Sequence, residues 1–405
     1  MFPRCAGLDV HKDTIVACVR IQTNSGVSQD VETFGATTNE LLRLHGWLTE
    51  HDVSHVAMEA TGVYWKPVWH ILEDCFELIL ANAMHIKNVP GRKTDVNDAT
   101  WISDLLAHGL IRASFVPESN IQDLRVLTRT RKQLVREKAQ HVQRIHKTLE
   151  DANIKMGAVV SDILGTSGRA ILEALIEGET EPEKLVKKTT GKLRASESEI
   201  IEALRGYVGS NHRFLLKLHL GQIKSLEASI ESVDMEVGSL IDPFRGAVDL
   251  LVTMPGISDV AAQVIISEIG SDMSRFPSAG HLISWAGLCP KNDESAGKRR
   301  STRIRKGAPW LKTVLVQAAW AATRAKATYL GAQFRRLKAR RGPKKAIIAV
   351  AASMLTAVYF MLRDNVAYRD NGADYFDRVE KPKVVRRLVN RLAELGVNVE
   401  VPAAA

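Results

Sequence analysis

The sequence predicts an α/β N-terminal domain, then a long helical segment and a mainly helical C-terminal domain. Short apolar and β-branched runs dominate residues 4–34, which is typical of strands. Helical and strand patterns then alternate as far as about residue 109. From about residue 121 the strand patterns give way to long amphipathic helical patterns.

The N-terminal elements are expected in the order three strands, helix, strand, helix, strand, helix. The strands are AGLDV, TIVACVRI and VSQDVETFG, followed by the helix TTNELLRLHGWLTEH. Next come the strand HVAMEA, the helix WKPVWHILEDC and the strand FELILANA. The last helix is expected from Asp95 to His108, before Gly109. This order, within residues 1–120, predicts an RNase H-like layer fold.

Residues 121–245 predict a pair of long helices that form an antiparallel coiled coil. Both LRVLTRTRKQLVREKAQHVQRIHKTLED and HRFLLKLHLGQIKSLEASIESVDMEVGSLI are amphipathic, and the polar stretch EGETEPEKLVKKTTGKL separates them. The pair would serve as a spacer or as a dimerisation arm, and these two roles are compatible. Residues 246–365 form the next predicted domain, which opens on a helix-hairpin-helix-like pattern around PGIS, and residues 366–405 form a tail.

The charge balance favours a polyanionic partner. The chain of 405 residues has a formal net charge of +9, and Lys and Arg side chains displace counterions from phosphates. Four cysteines without CxxC spacing argue against zinc or thioredoxin chemistry and suit a reducing cytoplasm. The N-terminus has no apolar signal region. The apolar run Ala346–Leu362 is shorter than the roughly 20 residues of a spanning helix, so we interpret it as a buried core helix.

Four carboxylates are expected to meet at one end of the predicted sheet. Asp9 lies within the first apolar strand, where an unpaired charge is costly to bury, and Glu59 ends a strand expected beside it. Asp95 and Asp98 are three residues apart at the start of the last helix, so they share a face. Converging carboxylates repel one another without cations, and such hard oxygen ligands select Mg²⁺ or Mn²⁺. The sequence therefore predicts a metal site suited to phosphodiester chemistry.

Three of these carboxylates also have an ordinary structural explanation, whereas Asp9 is the hardest to explain in that way. Asp95 would cap its helix, and Asp98 would be a surface residue favoured by the helix dipole. Glu59 would cap the turn at Thr61–Gly62. Asp104 lies about 120° around the helix from the face of Asp98, so the predicted site excludes it.

Several motifs, in this order, resemble those of the DEDD transposases of the IS-one-ten (IS110) insertion-sequence family, which are related to the Piv DNA invertases. They are GLDVHKD, AMEATGVYW, KTDVNDA, PGIS and GLCPKNDESAGKRRSTRIRKGAPWLK, and the resemblance covers about residues 3–365. It implies a RuvC-like N-terminal domain whose tetrad is Asp9, Glu59, Asp95 and Asp98. It also implies a transposase domain whose nucleophile is Ser295, in an S-x-G motif.

The same resemblance implies the reaction and the partners. Members of the family cut and join DNA through a covalent link between serine and DNA. A structured bridge RNA, which pairs with donor and target DNA, directs them, and they work as tetramers, here expected as dimers of dimers in a prokaryotic cytoplasm.

The residues by themselves make a weaker case for Ser295. A serine hydroxyl needs activation, and the nearest histidine, His281, is 14 residues away. Ser301 is the nearest rival and lacks a following glycine, whereas Gly297 would allow close backbone approach. The base would then be a carboxylate or a metal-bound hydroxide in a composite site. The basic side chains expected to bind the nucleic acid are Lys298, Arg299, Arg300, Arg303, Arg305 and Lys306.

Two other functions remain open from the sequence. The first is a RuvC-like structure-specific endonuclease, a junction resolvase that uses water as nucleophile and does not need Ser295. The second is a non-catalytic nucleic-acid-binding protein, which needs only a basic surface such as the helix pattern over residues 125–147. Trp285 and Trp310 flank the serine segment, and we interpret them as core residues rather than base-stacking platforms.

Overall fold

The computed structural model describes residues 2–24, 26–87, 89, 97–190, 195–291, 293–295, 297–301, 303–305, 307–379 and 381–397. The chain divides into two compact units, Met1–Val116 and Pro117–Ala405. Each unit has its own secondary structure and its own apolar core.

The first unit contains a mixed five-stranded sheet with the order β3-β2-β1-β4-β5. β2 is antiparallel to both β1 and β3, whereas β1, β4 and β5 are mutually parallel. The predicted adjacency of the first and fourth strands is therefore confirmed. The strands are β1 (Arg4–Val10), β2 (Thr14–Thr23), β3 (Gly26–Gly35), β4 (His55–Glu59) and β5 (Glu77–Ala81).

Four helices belong to this unit: α1 (Thr38–Glu50), α2 (Trp65–Leu72), α3 (Ala83–Lys87) and α4 (Asp98–Ala107). Alternating side chains of β1 enter two separate cores, as strand geometry requires. Leu8 and its neighbours on one face pack in a cluster with Leu44 of α1 and Leu72 of α2. On the other face Cys5 packs in a cluster with Ile102 of α4.

The start of α4 differs from the prediction. The helix begins at Asp98, because the Asn97 side chain accepts a hydrogen bond from the backbone N–H of Ala99 at 2.9 Å and so caps it. The expectation that this helix begins at Asp95 is therefore wrong, because Asn97 just before Asp98 is not helical. Asp95 itself lies outside the described residues.

The second unit is mainly helical in the part of the chain that the structure describes. Its one described pair of strands is β6 (Asp293–Ser295) and β7 (Lys298–Ser301). The helices are α5 (Ser119–Asp151), α6 (Met156–Val159), α7 (Thr166–Glu177), α8 (Pro182–Val186), α9 (Glu197–Ala203), α10 (Ser210–Leu240), α11 (Arg245–Val252), α12 (Asp259–Ile269), α13 (Ala279–Ala286), α14 (Pro309–Ala322), α15 (Tyr329–Arg341), α16 (Pro343–Asp364), α17 (Tyr375–Val379) and α18 (Lys381–Glu394).

The long helices α5 and α10 pack side by side and run in opposite directions. Lys138 of α5 pairs with Glu227 of α10 at 2.8 Å, and Asp151 near the end of α5 pairs with His212 near the start of α10. The predicted polar break between them contains more structure than expected. α6 to α9 lie between the long helices in the chain, and side chains such as Leu185 of α8 are buried in a shared apolar cluster.

The apolar run Ala346–Leu362 lies in α16, which is a core helix of the second unit. Nine residues of α16 are buried, and the hydroxyl of Tyr359 donates to the carbonyl oxygen of Phe276 at 3.2 Å. Within the described residues α16 is the one helix long and apolar enough to cross a membrane, and half of its apolar window is buried in the protein.

The PGIS segment forms the turn between α11 and α12. Gly256 in this turn has φ +89°, a conformation that favours glycine. A β-carbon there would lie 2.3 Å from the carbonyl oxygen of Ala318 in α14. The turn glycine is thus packed tightly against α14 as well as being conformationally required.

Candidate active site

Asp9 and Glu59 lie at the same end of two neighbouring parallel strands. The last residue pair in register between β1 and β4 is Leu8 with Met58, and each carboxylate is the next residue of its strand. Because side chains alternate along a strand, Asp9 and Glu59 project to the same face of the sheet. That face is the one on which α4 packs. The predicted proximity of these two positions follows directly from the strand register.

α4 runs antiparallel to β1, which brings its first turn to the same end of the sheet. A β-carbon at Gly7 would lie 2.3 Å from the carbonyl oxygen of Ala99, so the start of α4 lies directly over β1. At the other end, the backbone N–H of Phe2 donates to the carbonyl oxygen of Ala107 at 3.4 Å. Asp98, the first residue of α4, is therefore at the carboxyl end of β1.

The immediate surroundings of Asp9 include a residue that the sequence analysis did not single out. The Nε2 atom of His11 lies 3.1 Å from Oδ2 of Asp9, and the Asp9 side chain is only 17% exposed. His11 is mostly exposed. The spacing of two residues in GLDVHKD was a signal for this contact, because a tight turn follows β1 and the His11 N–H donates to the Thr14 carbonyl oxygen.

The carboxylates are the groups of this region that suit a divalent cation. Asp9, Glu59 and Asp98 offer only hard oxygen donors, the kind that Mg²⁺ and Mn²⁺ take. The N-terminal end of α4 adds a partial positive charge, which favours carboxylates nearby. In the described part of the chain, no three His, Cys, Asp or Glu side chains come close enough together to hold one ion. Asp95 lies outside that part.

Asp104, which the sequence analysis excluded from the site, has a different role. Its Oδ1 accepts hydrogen bonds from Nε of the buried Arg20 at 2.9 Å and from the Gln29 side-chain amide at 3.1 Å. The cysteines under α4 are also structural. Burial raises the pKa of the Cys5 thiol to about 11 and also raises the pKa of Cys18. Both thiols are therefore neutral at physiological pH and poor nucleophiles.

Ser295 lies at the turn of a two-stranded hairpin in the second unit. It is the last residue of β6 and pairs with Lys298, the first residue of β7. Gly297 in the turn has φ +73°, and a β-carbon there would meet nothing within 4 Å. Glycine is therefore required here for its backbone conformation, whereas no described residue packs closely against it. The rival Ser301 uses its hydroxyl oxygen to accept the backbone N–H of Arg303 at 3.2 Å.

The predicted nucleic-acid-binding residues surround this hairpin in the chain. The side chains of Lys298, Arg303 and Arg305 are exposed. Lys306 and the side chains of Arg299 and Arg300 lie outside what the structure describes. The nearest histidine, His281, is engaged elsewhere, because its Nδ1 lies 2.8 Å from Oγ of Ser278 at the start of α13.

A second group of functional candidates lies on α5, within the basic helix pattern over residues 125–147, and the tertiary partners of this helix were not predicted from the sequence. Glu268 of α12 is 1% exposed and accepts both N–H groups of the Arg129 guanidinium, at 2.8 and 2.9 Å. Trp310 of α14 lies beside Arg129 and Arg136. The available signal was the spacing of the basic residues of α5, which recur on one helix face every three or four residues.

Two family models match the chain. One, a transposase model of the DEDD type for IS110, matches residues 6–154, which include Asp9, Glu59, Asp95 and Asp98. The other, described as the Transposase IS116/IS110/IS902 family, matches residues 248–335, which include Ser295. These two matches, one in each half of the chain, indicate an enzyme of the transposase class that acts on DNA.

Similar proteins agree with this class. The pilin gene-inverting protein of Moraxella bovis is 24% identical over 89% of this chain and 95% of its own length. A 43.6 kDa protein of the insertion element IS110 from Streptomyces coelicolor is 32% identical over 29% of each chain. The chain belongs to the IS110 family of transposases.

Proposed function

We propose that this transposase cuts and rejoins DNA with a divalent-metal site formed by Asp9, Glu59, Asp95 and Asp98. The observation that carries the proposal is the parallel register of β1 and β4, which aligns Asp9 with Glu59 on the face covered by α4. The strand order β3-β2-β1-β4-β5 supports an RNase H-like, RuvC-like fold for this unit.

Mg²⁺, with Mn²⁺ as a substitute, is the proposed cofactor. When bound, it would supply charge neutralisation at the phosphodiester. The chain contributes the positions of the ligands. Asp9 and Glu59 are fixed by strand pairing, and Asp98 by the capped start of α4. This rigidity suits a site whose ligands must stay close together despite their mutual repulsion.

Ser295 is the proposed nucleophile. Its Oγ would form an ester bond to a DNA phosphorus, while a phosphorus–oxygen bond of the DNA backbone breaks and the released DNA oxygen takes up a proton. The position of Ser295 beside a turn, opposite the exposed Lys298, supports this role. The basic residues proposed to hold the flanking phosphates are Lys298, Arg299, Arg300, Arg303, Arg305 and Lys306.

We further propose that a bridge RNA guides the enzyme and that it acts as a homo-oligomer, a dimer of dimers. The net charge of +9 supports polyanionic partners. The pairing of α5 with α10 supports a coiled-coil arm. Exposed apolar side chains on α10, such as Phe214 (65%) and Met235 (67%), offer a surface for a second copy.

The decisive experiment changes Ser295→Ala and Asp9→Asn separately. The chain is expressed together with the genomic DNA that flanks its gene, so that any RNA encoded there is present. Strand exchange is followed by sequencing new junctions, and protein–DNA adducts are trapped by rapid denaturation. We expect Ser295→Ala to abolish both adducts and junctions, and Asp9→Asn to abolish junctions.

Matched controls keep the result specific. Ser301→Ala removes a neighbouring hydroxyl, and Asp13→Asn removes an exposed carboxylate close to Asp9. Both should remain active. Recombination by Ser295→Ala would show that the serine mechanism is wrong. DNA cleavage by Ser295→Ala without joining would instead favour a resolvase-like reaction with water. Full activity of Asp9→Asn would overturn the metal site, and activity after ribonuclease treatment would overturn RNA guidance.

A further inference from the structure

A small basic cleft lies where α5, α12 and α14 meet in the second unit. Its volume is about 30 Å³, and its walls include Lys132 and Arg136 of α5, Glu268 of α12, and Trp310 and Gln317 of α14. We call it the α5–α14 cleft. Neither the predicted carboxylates nor the residues of the Ser295 hairpin are among those that line it.

The floor of the cleft is an ion network around the buried carboxylate of Glu268. Glu268 receives a bidentate pair from Arg129, and a guanidinium nitrogen of Arg125 lies 3.8 Å from the same carboxylate. Arg125 also donates to the backbone oxygens of Ser267 and Glu268, at 3.2 and 2.7 Å. Burial lowers the pKa of Arg125 to about 10, against the opposing effect of Glu268. Glu268 thus lies between two guanidinium groups, and Arg129 takes both of its oxygens.

Two further cations stand at the same cleft without an acidic partner. Among the residues that the structure describes, none forms an ion pair with Lys132 or Arg136. The guanidinium of Arg136 lies over the Trp310 ring, 5.4 Å from its centroid. Stacking on an aromatic ring holds a guanidinium in place while its N–H groups stay available at the edge. The cleft therefore combines uncompensated positive charge with a fixed fork of donors.

We propose that the α5–α14 cleft binds a phosphodiester group of a nucleic-acid strand, with Lys132 and Arg136 as its direct ligands and Trp310 as a positioning residue. An oxyanion matches this donor set, because guanidinium and ammonium groups form charge-assisted hydrogen bonds to phosphate oxygens. The Lys312 ammonium of α14 donates to the carbonyl oxygen of Arg305 at 3.1 Å, which ties the segment after the Ser295 hairpin to the same helix. The proposal rests on the action of this family on nucleic acid.

Binding by the full chain tests the proposal. The double variant Lys132→Gln/Arg136→Gln is compared with Lys147→Gln/Lys217→Gln, which removes two exposed cations of α5 and α10 outside the cleft. Fluorescence anisotropy is measured with a labelled 30-nucleotide RNA, the DNA strand of the same sequence and its duplex, over a range of NaCl concentrations. All samples contain EDTA, so that no divalent cation at the carboxylates affects the readout.

We expect the cleft variant to weaken binding of at least one probe about tenfold. For this variant, the slope of the logarithm of the binding constant against the logarithm of the salt concentration should become shallower by roughly 0.7 to 0.9 for each lost phosphate contact. In the charge-matched control, the change in this slope should be less than half of that in the cleft variant. The probe whose salt dependence changes identifies RNA or DNA as the ligand. An unchanged salt dependence for all three probes, or equal losses in both double variants, would overturn the proposal.

Trp310 provides a second, independent check. Trp310→Phe keeps an aromatic face for Arg136 and should bind like the unmodified chain, whereas Trp310→Leu should lose part of the salt dependence. Equal binding by the two variants at full thermal stability would show that Trp310 does not position Arg136. These binding measurements need no catalysis. A negative result for the cleft therefore does not bear on the serine mechanism, and a negative result for the serine mechanism does not bear on the cleft.

Discussion

Ala99 lies directly over Gly7, so that the start of α4 contacts the backbone of β1 with no room for a side chain. A β-carbon at Gly7 would stand 2.3 Å from the carbonyl oxygen of Ala99, and that oxygen belongs to the helix backbone. A backbone atom cannot move aside as the end of a flexible side chain can. The close approach of α4 to β1, and with it the position of Asp98, therefore depends on this glycine.

We predict that Gly7→Ala destabilises the first unit by at least the 1–3 kcal/mol or so typical of overpacking. The same change should reduce strand exchange more than its effect on folding explains, since it displaces Asp98 relative to Asp9. Thermal unfolding and junction sequencing measure the two effects. Gly46→Ala in α1 is the control, because a β-carbon there meets nothing within 4 Å. It should be neutral or slightly stabilising, and equal behaviour of the two variants would contradict the prediction.

The buried carboxylate of Glu268 makes a second prediction about stability. Glu268→Gln removes the negative charge that pairs with Arg129 and lies beside Arg125, and breaking a buried ion pair in this way costs about 3–5 kcal/mol. We expect the urea midpoint to fall and amide hydrogen exchange to accelerate in α5 and α12. Glu173→Gln removes an exposed partner of Lys224 and should cost about 1 kcal/mol or less. A similar small cost for Glu268→Gln would show that the network contributes little.

Part of this site followed from the sequence for clear physical reasons. The parallel strands β1 and β4 are linked by a crossover that includes β2, β3 and α1. Because side chains alternate between the two faces of a strand, the positions of Asp9 and Glu59 fix the face on which each lies. The start of α4 did not follow, because Asp95, Asn97 and Asp98 are all acceptable caps and only the hydrogen bond to Ala99 distinguishes them.

The cleft on α5 was beyond sequence reasoning for a different reason. Arg129 and its partner Glu268 are 139 residues apart, and nothing in the local pattern of α5 indicates which distant helix packs against it. The basic face of α5 was visible in the sequence. Tertiary contacts decide which cations of this face are paired with a carboxylate and which are not. The same packing places Trp310 beside two guanidinium groups.

Gly297 allows a prediction about the Ser295 hairpin. Its φ of +73° disfavours side chains, whereas the space around its β-carbon position is open. Gly297→Ala should therefore strain the turn by about 1–2 kcal/mol, and Gly297→Asn should be better tolerated because asparagine adopts this conformation more readily. We expect the yield of serine–DNA adducts to follow the order Gly, Asn, Ala. Equal losses with Ala and Asn would instead indicate that the nucleic acid itself approaches Gly297 closely.

The contact of His141 with His219 predicts a pH dependence for the α5–α10 pair. Their Nδ1 atoms are 3.2 Å apart. Burial lowers the pKa of His219 below its ordinary 6.5, and the nearby His141 and Arg144 lower it further. A histidine with a lowered pKa in the folded state binds its proton more weakly there than in the unfolded state. Its contribution to stability is therefore present above pH 6.5 and is lost as the pH falls through the folded-state pKa.

We accordingly expect the midpoint of unfolding to fall between pH 7.5 and about 5, with faster hydrogen exchange in α5 and α10 at the acidic end. His219→Gln removes the titrating group, so its stability should change less over the same range. His281→Gln removes an exposed histidine on α13 and should keep the full pH dependence. Proton uptake at His219 would then account for the difference between the two variants, and parallel pH curves for all three proteins would exclude a role for His219.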